Sequence, residues 1–238
     1  MDSFDIGKWV MKLITTSRSY FTLLEFVSDE HSFHSYTNQQ VVYSSSKDTE
    51  ELIELKMEES PHKEDFQKMI SDDIEHALEN YSNQLIVILA TYIETMHSEF
   101  FQSLFNFNNK LIYDYLFSNS DHKDFNILNL IFDAESKDEI IEQLINKAKK
   151  NVVNGSLKKI NERILKMTEY QIDKTIIDSI QLDILDNRNM IIHESKAIKI
   201  KDDEIKTYFE LTEKYLFELG NACKKCGSSY VDQANWLK

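Results

Sequence analysis

One proline and four glycines punctuate a chain of 238 residues. These two residue types supply most tight turns and end most helices. A chain so poor in them is ill suited to the many short connections of a sandwich or barrel. It also lacks a glycine-rich phosphate loop, since neither GxGxxG nor GxxxxGK(S/T) occurs. What remains is long helices joined by a few polar loops. Hydrophobic residues at 42% and aromatics at 11% suffice for a sizeable core, and the length fits one large domain or one domain with an N-terminal extension.

The formal net charge of -14 bounds the function classes. Nonspecific nucleic-acid binding needs a surplus of Lys and Arg to meet phosphates, so any such role requires a local basic patch. Two cysteines, Cys223 and Cys226, do not make a disulfide framework and agree with a reducing cytoplasm. Their CxxC spacing suits zinc, but no second pair exists, so ordinary thiols at a helix end are expected, with no metal and no cofactor. The first residues start acidic and set Lys8 and Lys12 inside an apolar face, a poor signal peptide. The apolar run over 85–93 is too short to span a bilayer. A soluble cytoplasmic protein without a membrane partner is the expectation.

Helical periodicity is strong along most of the chain. Residues 5–30 read as an amphipathic helix carrying Trp9, Leu13, Tyr20, Leu24 and Phe26. Val41, Val42 and Tyr43 are strand formers between Ser/Thr clusters, and a short β-hairpin fits there. Pro61 marks a boundary, which divides the chain into an extension over 1–62 and a helical domain over 63–238. From residue 64 to 107 apolar residues recur at three and four: Phe66, Ile70, Ile74 and Leu78, then Ile86, Leu89, Ile93 and Phe100. This predicts one long helix or two separated by a kink, buried on more than one side in its second half. Residues 119–126 read as a loop. Ser136 with Glu139 forms a capping box, and further helices are expected over 156–172, 174–193 and 202–226. The predicted fold is all-α: an antiparallel bundle of four to five long helices with a small N-terminal extension that includes a helix and a possible short hairpin.

The stretch DILDNRNMIIHES, residues 183–195, breaks its own apolar pattern. On a wheel of about 100° per residue, Ile177, Ile180, Ile184 and Ile191 form a stripe, and Arg188 falls inside that arc. A guanidinium there is costly unless an anion or a carboxylate meets it. Asn189 and His193 are four apart and share another face. Arg188 and His193 lie about 140° apart, so they converge only through the length of Arg, a helix end, or a second subunit. Two readings stay open. In one, Arg188 pairs with a core acid such as Glu94 and His193 sits at a helix C-terminus, where a cation is favourable. In the other, these residues handle phosphate.

RNMIIH, residues 188–193, resembles the R-N-x-x-x-H motif of the HEPN family, the higher eukaryotes and prokaryotes nucleotide-binding domains. Its setting is similar too: a late helix of an all-α chain, followed by one last long helix. The earlier LIVILATYIETMHSEFFQSLF resembles the family's first helix, with Glu94 as an acid among aromatics. The resemblance runs from about residue 64 to 226. It implies a metal-independent endoribonuclease that acts as a homodimer, in a toxin–antitoxin or phage-defence setting, with RNA as substrate and an antitoxin or other regulatory protein as a further partner. His193 would transfer protons, Arg188 would hold the phosphate and its developing charge, and Asn189 would orient His193 or the phosphate. The alternative is a non-catalytic helical module that binds a nucleotide or a partner protein. One departure is clear: toxins of this family commonly carry a tyrosine two residues after the histidine, and here Ser195 stands there.

Two lysine groups are candidates for an RNA surface. Lys196, Lys199 and Lys201 directly follow the motif, and Lys158 and Lys159 belong to a lysine-rich stretch that also holds Lys147, Lys149, Lys150, Arg163 and Lys166. The first group is closer to His193 in sequence and is the better candidate; a solvated helix face explains the second equally well.

Overall fold

The computed structural model describes residues 3–45, 52–118, 136–228 and 230–231. The elements run in this order: β1 (Phe4–Asp5), α1 (Ile6–Ser28), α2 (Glu30–Gln39), β2 (Val41–Ser45), β3 (Leu52–Lys56), a 3-10 turn (Met57–Glu59), α3 (Lys63–Phe107) and α4 (Asn109–Ser118). After these come α5 (Lys137–Val152), α6 (Leu157–Thr168), α7 (Lys174–Ser179), a π-helical segment (Ile180–Asp186), α8 (Asn187–His193), α9 (Asp202–Cys226) and β4 (Tyr230–Val231). The fold is all-α, with two small two-stranded sheets. The expected hairpin is present: β2 pairs antiparallel with β3, from Val41 opposite Lys56 to Ser45 opposite Leu52. The loop expected over 119–126 lies outside the described residues. Among the described residues no helix is long and apolar enough to cross a membrane.

The axis of the molecule is α3, one unbroken helix of 45 residues and so about 67 Å long. Its two halves differ. From Ser82 onward it is buried on several sides, with Leu85, Ile86, Leu89, Ile93, Phe100 and Phe101 fully enclosed. No residue of its first turns, 63–81, is buried, and the Phe66, Ile70, Ile74 stripe is half-covered. That half is an arm, held by α2 and the 3-10 turn, with Gln67 donating to Thr37 Oγ1 at 3.3 Å. The aromatic run of the second half is core: Phe100 meets Phe4 and Phe101 edge-on.

The extension expected over 1–62 is divided in the structure. Phe4, Trp9, Val10 and Leu13 lie in the same core as α3 and α9, while the segment from α2 to the 3-10 turn packs against the arm. Asp5 caps α1 by accepting from the Lys8 N–H at 2.9 Å. β1 pairs in parallel with β4, Phe4 opposite Tyr230. The Tyr20 hydroxyl donates to Asp202 Oδ1 at 2.7 Å and meets Ser82 Oγ at 3.0 Å, joining α1, α9 and α3. Phe21 and Leu24 are partly buried against this core, but Phe26 is 63% exposed rather than part of it.

Gly220 lies inside α9. Its role is close approach: a Cβ there would overlap Ile6 Cδ1 of α1. Substitution Gly220→Val is expected to push α1 from α9 and cost about 1–3 kcal/mol by overpacking, read as a lower midpoint in urea.

Candidate functional site

The motif helix is built differently from a regular wheel. Residues Ile180–Asp186 are π-helical, with i→i+5 backbone bonds in place of i→i+4. Each residue there turns the chain through less than 100°. The side chains register the wider turn: Gln181 Nε2 donates to Asp186 Oδ1, five residues on, at 2.7 Å. Ile180 and Ile184 remain fully buried. Gln181 and Leu185, one position later, face a cavity instead. Regular α-helix resumes at Asn187, and Arg188 is its second residue. Its side chain keeps 22% of its surface exposed, and Ile192 is 47% exposed.

The cavity measures about 420 Å³. Three stretches of chain wall it, the last running from the α5–α6 turn into the start of α6. α3 contributes Ile93, Glu94 and His97; the π segment and α8 contribute Gln181, Leu185, Arg188 and Asn189; the turn between α5 and α6 supplies Asn154, Gly155 and Leu157. That turn needs Gly155, whose φ of +111° is the left-handed region. Ser156 then caps α6 by accepting from the Lys159 N–H at 3.5 Å. Arg163 secures the turn, with Nη1 donating to Val152 O at 2.7 Å and Asn154 O at 2.5 Å. Its Nη1 is thus held by backbone.

At the cavity mouth Arg188 Nη2 donates to Glu94 Oε1. Glu94 is 57% exposed, so the pair is partly hydrated and worth at most about 1 kcal/mol. Among the described residues Arg188 makes no other hydrogen bond, which leaves most of its five donors for an anion. Asn189 lines the same cavity and is exposed.

His193 does not join them. It ends α8, exposed, and no hydrogen bond or ion pair holds its ring among the described residues. The chain turns away directly after it: Ser195 takes a left-handed φ of +51°, and the Lys196 N–H donates to Met190 O at 3.3 Å. The connector is then pinned by Asn83, whose amide exchanges two bonds with the Ile198 backbone, at 2.9 and 3.0 Å.

The lysines separate likewise. Lys199 Nζ lies 3.6 Å from Glu79 and 3.8 Å from Glu75. Those acids stand fifteen or more residues before Glu94 on α3, roughly 22 Å or more along its axis. The group that follows the motif in sequence therefore leads away from the cavity. Lys201 precedes α9 and its N–H donates to Glu204 Oε2 at 2.8 Å; Lys196 is exposed. Lys158 and Lys159, exposed in the first turn of α6, directly follow the wall formed by residues 154–157.

Two cavity residues escape the sequence reading: His97 and Gln181. His97 is one helical step from Glu94 (i, i+3), a spacing open to inspection, but its apolar neighbours make it look like core. It is 2% exposed, and burial holds its pKa down to about 3, so the imidazole is neutral. Its Nε2 meets the Tyr215 hydroxyl at 2.7 Å, and Tyr215 donates to Asn161 Oδ1 at 3.4 Å. Asn161 Nδ2 in turn donates to Leu157 O at 2.9 Å. Burial raises the Tyr215 phenol well above its ordinary range. Elsewhere, Cys223 is buried and its thiol is pushed up to about 12, so it stays protonated; Cys226 Sγ donates to Cys223 O at 3.3 Å.

Compared with protein-family models, with curated proteins and with solved structures, the chain matches none.

Proposed function

We propose that the protein is a metal-independent endoribonuclease of the HEPN type that works as a cytoplasmic homodimer. The observation that carries this reading is the split of the RNMIIH motif. Arg188 and Asn189 face a cavity with Glu94, while His193 stands exposed and unheld at the end of the same helix. A guanidinium with spare donors suits the scissile phosphate. A histidine open to solvent and without a bonded partner suits proton transfer. A two-fold copy would bring the His193 of one subunit to the Arg188 of the other.

In that cleft one imidazole takes the proton from the ribose 2′-OH. The 2′-oxygen attacks phosphorus, Arg188 of the facing subunit stabilises the added negative charge, and the same imidazole, now protonated, returns its proton to the departing 5′-oxygen. The products are a 2′,3′-cyclic phosphate and a 5′-hydroxyl. The setting suited to such an activity is a toxin–antitoxin or phage-defence system, with an antitoxin or other regulatory protein as partner.

Purified protein in EDTA is expected to cut RNA and leave those ends, detected by end-labelling, and His193→Ala is expected to lose at least 10²-fold. Intact RNA after incubation with folded, dimeric protein would sink the reading. The second reading, a non-catalytic module, draws on the Arg188–Glu94 pair, which already gives Arg188 a structural partner. Under it, Arg188→Ala lowers the melting temperature and changes nothing else.

A further inference from the structure

The hairpin carried by the arm has an open edge. The Met57 N–H donates to Gln40 O at 2.8 Å, which continues the register of β2 and β3 by one residue. Antiparallel ladders alternate bonded and unbonded pairs. Val42 and Leu55 therefore bond across the hairpin, while Val41 and Tyr43 aim their N–H and C=O groups away from β3. Among the described residues those groups find no backbone partner, and β2 packs closely on β3 alone.

Natural sheets guard such edges with charge or proline. β3 does so: Glu54 and Lys56, opposite Tyr43 and Val41, are both exposed. β2 does not, since its sequence VVYSS holds neither charge nor proline. Val41 is 45% exposed and Tyr43 68%. A two-stranded ribbon is marginal in water, and a third strand would satisfy its edge and cover its face.

Charge decides what kind of strand fits. Residues 30–45 and 52–81 hold ten Asp and Glu against three Lys, half of the chain's net charge of -14. Lys199 reaches two of these acids, Glu75 and Glu79. Glu54, Glu58 and Glu59 stand exposed at the hairpin and make no ion pair among the described residues. A second copy would set one acidic arm against another, and RNA would set phosphate against it; both are repelled. A basic segment is attracted.

We propose that β2 is a docking edge for a partner protein, which adds an extended segment rich in Lys or Arg as a third strand beside Val41–Ser45. The outward backbone groups of Val41 and Tyr43 bond to the segment, and their side chains pack against its alternate residues. Glu54, Glu58 and Glu59 meet its cations. The edge lies on the arm, apart from the cavity at Glu94, and does not depend on what Arg188 binds.

The test is selection of short random peptides on the full chain, with the best binder then measured by fluorescence anisotropy. Selected peptides should alternate Lys or Arg with β-branched or aromatic residues, and should weaken as salt is raised. Tyr43→Pro removes an N–H that points to the open side, so the ladder with β3 stays whole. It should weaken the peptide at least tenfold. Tyr43→Thr keeps the N–H and a strand-forming side chain, and should cost much less. By hydrogen exchange, the Val41 and Tyr43 amides should be fast in the free protein and slow with peptide bound. A selection that yields no binder, binders that are neutral or acidic, or binding indifferent to Tyr43→Pro would overturn the proposal. So would amides already slow without peptide that quicken on dilution, which marks a second copy at the edge, or displacement of the peptide by RNA.

Discussion

Arg188→Ala and His193→Ala, each expected to be inactive alone, are expected to recover cleavage when their subunits are mixed. The geometry requires this if the cleft is shared. Within one subunit Arg188 faces the cavity, and His193 stands five residues on, about 140° around a regular helix and exposed. A two-fold dimer contains two Arg188–His193 pairings, each made across the interface. A heterodimer of the two variants keeps one pairing intact and loses both partners of the other. Random mixing makes about half of the dimers heterodimeric, so activity should return to about a quarter of wild type. Each homodimer should fall by about 10²–10⁴-fold, the usual weight of an acid–base histidine or of a charge-stabilising donor. Stability should barely move. Arg188 loses only a partly hydrated pair with Glu94, and His193 loses no bonded partner. The assay is cleavage of a labelled RNA after unfolding and co-refolding the two variants, beside melting curves for each. If the mixture stays as dead as its components, the cleft is not built across the dimer.

How far the site could be read in the sequence depends on which forces act locally. The scarcity of turn residues gave the helical class, and Ser136 does accept from the Glu139 N–H, at 3.2 Å. Val41 to Tyr43 form a strand as their branched and aromatic side chains suggest. Arg188 stood out because charge within an apolar arc is a local contradiction, and Glu94 is its partner. The misses come from structure that no local pattern carries. A wheel of constant pitch cannot anticipate seven π-helical residues before the motif. The lysines after the motif are near His193 in sequence, and that nearness says nothing of the cavity: Glu75 and Glu79, on an arm of α3, meet Lys199. The His97 network needs α3, α6 and α9 to be packed together before its tautomer has any meaning.

His97 also leads to the largest expected effect on stability. Its pKa falls from an ordinary 6.5 to about 3, because burial penalises the charged ring. Between those values the unfolded chain binds a proton that the native state refuses. Stability is therefore complete above pH 6.5, declines as the pH drops through that window, and stops declining on this account near pH 3. At pH 4 the difference spans two and a half units, on the order of 3 kcal/mol, a large share of a typical domain's total. The carboxylates titrate in the same range, some with opposite sign: burial raises the Asp183 carboxyl, which favours the native state at low pH. Comparison with His97→Gln removes these common contributions. Glutamine can still donate to the Tyr215 oxygen and cannot take up a proton. The variant is expected to start less stable at pH 7.5, through lost packing, and to lose less stability between pH 7 and pH 4 than wild type does. Urea unfolding at each pH, followed by circular dichroism, measures both slopes. Parallel slopes would mean that the charged ring is hydrated through the cavity and that burial does not hold its pKa down.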